Sequence, residues 1–184
     1  MARGIEMKKK SLPLSEVYRL LEPGPVVLLT SAYKEQPNIM TMSLYTLMEY
    51  ERPIVGCVIR STNYTFNFLK ATKECAINIP TVELAEKVVG CGTTSGREID
   101  KFQTFQFMNE LASSISVPLI EECFANLECK VIDMKIVPQY NFFILEVIQA
   151  RVDASREHHP TIHHQGKGVF MVAGKTIELP FNMK

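Results

Sequence analysis

The sequence has no tryptophan, no excess of either charge, no Cys-x-x-Cys pair and no apolar run long enough to cross a bilayer. Most of these absences remove a class of protein. Lysine and arginine together number 20, as do aspartate and glutamate, so the formal net charge is zero and no basic domain offers itself to nucleic acid. The one basic cluster, Lys8-Lys9-Lys10, is short and terminal and reads as a solvated tail. Apolar stretches such as Ile54 to Ile59 fall far short of the roughly 20 residues a spanning helix needs, so no membrane is expected. The five cysteines, Cys57, Cys75, Cys91, Cys123 and Cys129, are odd in number. Met1 to Lys10 is basic, but Leu12-Pro13-Leu14-Ser15-Glu16 is no apolar signal core. The expectation is a cytoplasmic protein with reduced thiols. Cys57, Cys75 and Cys129 fall in strand interiors, where burial leaves a thiol inert, and Cys91 and Cys123 lie nearer to loops.

What is present is an ordinary globular composition, 46% hydrophobic and 22% charged over 184 residues. That length suggests one domain over 1–184, with its core about 25–179 and residues 1–12 as a tail. Leu14 to Leu21 reads as a short helix stopped by Pro23-Gly24-Pro25. Strands are expected at 26–31, 38–48, 54–59, 74–79, 124–137 and 141–152, with a closing hairpin of 168–173 and 176–179 around Gly174-Lys175. Gln139-Tyr140 lies in the turn between the two long strands. Helices are expected at 64–71, capped by Asn63, and at 82–90, capped by Thr81 with Val82, Ala85, Val88 and Val89 inward. Seven or eight regularly spaced strands with three or four short helices between them point to a small barrel rather than a parallel α/β sheet.

The central stretch is Asn38-Ile39-Met40-Thr41-Met42-Ser43, entered from Val26-Val27-Leu28-Leu29-Thr30-Ser31 through a turn holding Gln36-Pro37. Its polar positions are an amide and hydroxyls, which donate and accept hydrogen bonds without carrying charge. That suits the wall of a site for a polar aromatic ligand, and it equally suits a Thr/Ser-rich edge strand. A second informative place is Arg60-Ser61-Thr62-Asn63-Tyr64-Thr65, where a strand end, an arginine and a helix start meet. Free N–H groups and the helix dipole make this an anion corner, or else an ordinary cap beside a surface arginine. Cys91-Gly92-Thr93-Thr94-Ser95-Gly96-Arg97 is rich in small residues but lacks the spacing of a nucleotide P-loop. All four histidines lie in 158–164. Pro160 breaks any helix that could align them, so a surface loop is expected there rather than a built metal site.

Taken together, these residues resemble the flavin reductase-like family with the FMN-binding split barrel, close to its flavoredoxin group. The resemblance runs from about Pro25 to Leu179. It rests on Pro25-Val26-Val27-Leu28-Leu29-Thr30, Asn38-x-x-Thr41-x-Ser43, Asn63-Tyr64-Thr65, Asn78-Ile79-Pro80, Ser95-Gly96-Arg97-x-x-Asp100-Lys101-Phe102, Pro118-Leu119-Ile120-Glu121-Glu122 and Asn126-Leu127-Glu128-Cys129-Lys130-Val131, in that order and spacing. It implies a mainly β fold, a split β-barrel of Greek-key type with a few short inserted helices. It implies FMN held in a homodimer, with contacts at Asn38, Met40, Thr41, Met42, Ser43, Arg60, Asn63, Thr65, Ser95 and Lys101. The ring is expected near Asn38, Thr65 and Lys101, and the phosphate near Thr41, Ser43 and the Arg60–Asn63 corner. Reduction gathers negative charge on the N1/O2 edge of the flavin, and a cation such as Lys101 stabilises it there. No catalytic side chain and no metal ligand are assigned.

The chain departs from many relatives where Leu44 replaces a tryptophan, Tyr140 a histidine and Leu145 a glycine. The activity implied is reduction of bound FMN by NADH or NADPH, with electrons passed to free flavin or another acceptor. The alternative is an electron carrier reduced by a redox protein partner. A third class, a split barrel that has lost its flavin, leaves Arg60 and Lys101 merely solvated.

Overall fold

The computed structural model describes residues 24–153, 155 and 159–180. The expected helix at 14–21, the Lys8–Lys10 cluster and His158 lie outside these residues. The first hairpin is β1 (Val27–Tyr33) with β2 (Gln36–Met42), antiparallel, with Tyr33 opposite Gln36 across a two-residue turn. Lys34 and Glu35 both take left-handed φ, 50° and 63°. This matches the strand twist of a tight hairpin, although asparagine and glycine occupy such positions at less backbone cost. β3 (Tyr45–Glu49) pairs with β4 (Ile54–Val58), and β8 (Ala125–Asp133) with β9 (Phe142–Val152). With β5 (Glu74–Ile79) these form one seven-stranded antiparallel sheet in the order β2-β1-β5-β8-β9-β4-β3.

The two edge strands of that sheet, β2 and β3, are joined by Ser43 and Leu44 alone. A sheet whose outer edges are covalently two residues apart must curl until they meet, so it is a barrel closed by the chain rather than by a ladder. Ladder irregularities in β8–β9, between Glu128 and Cys129 and between Val131 and Asp133, add bend.

β1 is buried on both faces, which explains its unbroken apolar run. Val27 and Leu29 point into the barrel with Cys57, Cys75, Cys129, Phe143 and Leu145. Val26 and Leu28 point outward, beneath Leu84, Val88, Phe102 and Ile120. The outer layer is made by α1 (Tyr64–Thr72), a 3-10 turn at Val82–Leu84 running into α2 (Ala85–Thr93), and α3 (Lys101–Thr104). α4 (Val137–Tyr140) lies between β8 and β9. Two small pairs complete the described chain, β6 (Asn109–Glu110) with β7 (Leu119–Ile120) and β10 (Ile162–His164) with β11 (Phe170–Val172).

Five expectations are corrected. The strand expected at 124–137 ends at Asp133, and Val137 already belongs to α4. The run 38–48 is two strands, because Ser43 and Leu44 form the corner of the barrel. The closing hairpin is not 168–179. Phe170–Val172 pairs back to Ile162–His164, and 173–180 holds no regular structure. The helix begun near Val82 continues to Thr93, and Val89 faces outward. Asn63 and Thr81 precede helices but do not cap them with their side chains. Asn63 Oδ1 accepts from the Arg60 N–H, and the Thr81 hydroxyl pairs with the Glu83 carboxylate.

Candidate functional site

A cleft of about 290 Å3 opens where β2, the start of α1, the end of α2 and the 94–97 loop converge. β2 contributes Asn38 to Thr41, the corner before α1 contributes Thr62 and Asn63, and the first turn of α1 contributes Tyr64 and Thr65. Cys91 and Gly92 from α2, the loop 94–97 and Lys101 of α3 form the opposite wall. Two charged side chains line the cleft, Arg97 and Lys101, and both are cations.

Lys101 is 5% exposed. Its ammonium donates to the carbonyls of Ile39, at 2.9 Å, and Cys91, at 2.6 Å. The second carbonyl belongs to the last turn of α2, where the helix dipole favours a cation. Carbonyls hydrogen-bond the ammonium without neutralising it. Burial therefore lowers the Lys101 pKa from the ordinary lysine value, the Cys91 side chain pulling the other way. Asp100 does not pair with Lys101. Its carboxylate accepts from the Gln103 N–H as the N-cap of α3. That cap fixes the first residue of the helix, Lys101, against β2.

Asn38 is 3% exposed. Its Nδ2 donates to Thr65 Oγ1 at 2.8 Å. Its Oδ1 has no hydrogen-bond partner among the described residues. An orphaned buried acceptor costs free energy unless something donates to it. Gly96 passes directly over this amide, and a β-carbon there would stand 2.0 Å from Asn38 Oδ1. Arg97 lies over the Tyr64 ring, 5.2 Å from its centroid, and its Nη1 donates to the Thr62 carbonyl at 3.2 Å. These two contacts tie the 94–97 loop to the start of α1.

Of the residues named from the sequence, Asn38, Met40, Thr41, Asn63, Thr65, Ser95 and Lys101 come together here. Thr41 Oγ1 is engaged, donating to the Val88 carbonyl at 2.6 Å. Met42 does not line the cleft. Strand alternation turns it into the barrel interior. Ser43 lies in a neighbouring hollow with Val26, Val88 and Phe170. Arg60 is exposed and outside the lining. The cation of the cleft mouth is Arg97, a member of the Ser95-Gly96-Arg97 motif whose role no local sequence pattern indicates. Gly96 and Tyr64 also line the cleft, and neither is marked by a local pattern.

All five cysteines are buried free thiols. Burial pushes the Cys57 thiol up to about 12 and that of Cys91 up to about 11, the latter opposed by Lys101 and Lys87. Among the described residues no group of three or more His, Cys, Asp or Glu side chains is gathered as metal ligands. His159 stacks on Phe124 with centroids 4.4 Å apart, and His163 is bonded to the Thr161 hydroxyl. None of the described helices is long and apolar enough to cross a membrane.

A curled antiparallel sheet closed by the chain itself, with a cationic cleft against one edge strand, defines the split-barrel class. The chain belongs to the flavin reductase-like domain family, whose model matches residues 19–169. It is 30% identical over 155 residues to an uncharacterized protein of Archaeoglobus fulgidus, covering 82% of this chain and 87% of that one. It superimposes on the flavoredoxin of Desulfovibrio vulgaris with a TM-score of 0.82 at 20% identity, over 95% of this chain and 98% of the other. An FMN-binding domain of a flavin reductases-like enzyme from Shewanella baltica gives 0.80 at 23% identity, over 92% and 96%.

Proposed function

We propose that the protein binds FMN in this cleft, takes electrons from NADH or NADPH and passes them to free flavin or another acceptor. The observation that supports this best is the buried Lys101 ammonium, held by two carbonyls on the wall of a cleft that no carboxylate lines. Such a cation stabilises an anionic ligand edge more than a neutral one. Bound FMN supplies a ring that accepts a hydride at N5 while negative charge develops on its N1/O2 edge, and it carries a phosphate at the other end.

The residues present fit that group. Lys101 holds charge against the N1/O2 edge. Asn38 Oδ1, buried and unpaired beneath Gly96 on an amide held by Thr65, would accept from a ring N–H where the 94–97 loop gives way to the ligand. Arg97, with the hydroxyls of Thr62 and Ser95, takes the phosphate in place of the expected Arg60. Gly96 lets the loop approach the Asn38 amide.

The cleft is at the small end of ligand pockets, which favours completion by a second copy in a homodimer. Half-exposed Leu44 at the corner and Leu47 and Met48 on β3 give such a copy apolar surface to cover. The buried thiols favour a reducing, cytoplasmic setting.

The test is anaerobic mixing of FMN-loaded protein with NADH and with NADPH, following flavin absorbance. Bleaching by either supports the reductase. Bleaching only by a reduced redox protein supports the electron carrier, and failure to bind FMN overturns both. Light scattering of the loaded protein at micromolar concentration is expected to give a dimer.

A further inference from the structure

α2 carries a glycine in its interior, Gly90, where alanine would serve the helix better. The reason stands opposite it. A β-carbon at Gly90 would lie 2.3 Å and 2.8 Å from two carbons of the Phe105 ring, so only glycine lets that ring rest against the helix backbone. Phe105 closes α3, and its N–H donates to the Lys101 carbonyl at 3.1 Å. The ring also packs on the outer core that contains Val88 and Phe102, so it does not swing aside freely.

Three positions on one face of α2, Lys87, Gly90 and Cys91, meet the 101–107 stretch in turn. Lys87 Nζ donates to the Gln106 carbonyl at 2.9 Å and lies 4.8 Å from the Phe107 centroid. Gly90 receives the Phe105 ring. The Cys91 carbonyl accepts from the Lys101 ammonium at 2.6 Å. α3 spans only Lys101–Thr104, too short to hold its own place. Its Asp100 cap orders the turn, and its seat on α2 places the turn. Neither Gly90 nor Phe105 lines the cleft.

We propose that Gly90 and Phe105 are positioning residues for Lys101. The ring seated on the glycine sets how closely α3 approaches α2, and so where on the cleft wall the ammonium is held. Coulomb attraction falls with distance, so a cation moved back by about 1 Å stabilises an anionic ligand edge less. Both residues act through Lys101, and the proposal rests on the flavoprotein reading only for the ligand that feels the charge.

Two variants disturb the seat from opposite sides. Gly90→Ala crowds the ring, and Phe105→Ala removes it and carries the test if Gly90→Ala does not fold. The double variant Gly90→Ala/Phe105→Leu keeps the alanine but drops Cε1 and Cζ, the two ring carbons nearest to it. Spectroelectrochemistry of the FMN-loaded protein reads the charge. In both single variants reduced FMN is expected to lose about fivefold in affinity relative to oxidised FMN, a fall of about 20 mV in the two-electron midpoint, and the double variant is expected to restore it. Acylation of Lys101 by an amine reagent, mapped by mass spectrometry on flavin-free protein, reads the displacement itself. Lys101 is buried, so labelling is expected to be slow in wild type and in the double variant, and severalfold faster in the single variants. Midpoints that stay put in the single variants while Lys101→Met shifts its own overturn the proposal, as does labelling at the wild-type rate in both. Faster labelling in the variants of a protein that takes no FMN, or whose midpoint ignores Lys101→Met, removes the flavin reading and leaves the seat standing.

Discussion

Two buried asparagines flank β1, one on either side, and they are used in opposite ways. Asn78, on β5, is saturated. Its Nδ2 donates to the Leu28 carbonyl and Thr30 Oγ1, and its Oδ1 accepts from the Ile120 N–H and from Asn126 Nδ2. Asn38, on β2, spends its amide on Thr65 and leaves its oxygen empty. The charged residues divide in the same way. Glu128 is fully buried yet accepts from the Ser113 N–H and hydroxyl and from the Ser114 N–H, with Arg151 at 3.8 Å. Lys101 is buried with carbonyls alone. A polar group whose valences are filled by its own chain holds the fold together. One left unfilled on a cleft wall is kept for something the chain does not contain.

The strongest way to break this contrast is Asn78→Ala. It strands the Ile120 N–H and the Leu28 carbonyl in the interior, and a loss of about 3 kcal/mol is expected in urea unfolding. A loss under about 1 kcal/mol would mean that the network is incidental. Glu128→Gln comes next, at about 2 kcal/mol. Burial raises the Glu128 pKa, but the Ser113 and Ser114 hydrogen bonds and Arg151 outweigh it, so the folded value lies below the ordinary one. The group therefore contributes stability fully above the ordinary carboxylate value, and that contribution drains as pH falls toward the lower folded value. The stability gap between wild type and Glu128→Gln is expected to narrow over the same acid range, and a constant gap would refute the assignment.

The cleft side of the comparison is probed by affinity and potential. Gly96→Ala drives a methyl into Asn38 Oδ1, and a rise of about tenfold in the FMN Kd is expected from titration of flavin fluorescence, with about 1 kcal/mol lost in unfolding. Lys101→Met is the mildest for the fold. Removing the buried cation relieves its desolvation but leaves the Ile39 and Cys91 carbonyls without their donor, so the net change in unfolding is expected to be small. Its readout is the flavin midpoint, expected to fall by several tens of millivolts, since ~30 mV corresponds to about 1.4 kcal/mol for two electrons. An unshifted midpoint in spectroelectrochemistry would end the role given to Lys101.

Strands β1, β4, β5, β8 and β9 were legible because their faces are set by local alternation or by unbroken apolar runs between clear turns. The Ser43–Leu44 corner was not, because Met42 and Tyr45 on either side carry strand-like side chains and only the closure of the barrel breaks the run. The pairing of Phe170–Val172 with Ile162–His164 was missed because Gly174-Lys175 offered a nearer and simpler turn. In the site, Asn38, Thr65 and Lys101 were found through motif resemblance. Arg97 was not assigned, because its place over Tyr64 depends on how the 94–97 loop folds across α1, which no local pattern encodes. Arg60 looked better from sequence alone, standing at a strand end before a helix.

The Ser43–Leu44 junction has a consequence for how the molecule breathes. The two edge strands join at that corner and diverge from it, leaving a seam that no ladder stitches among the described residues, whereas β5, β8 and β9 have hydrogen-bonded neighbours on both sides. Amide hydrogen exchange should therefore run inward from that seam, with the outward N–H groups of β2 and β3 exchanging first and the central strands last. β2 is also the strand that carries Asn38 to Thr41. A ligand in the cleft should therefore slow exchange in β2 and in the α1 start and 94–97 loop that face it, and leave the central strands unchanged.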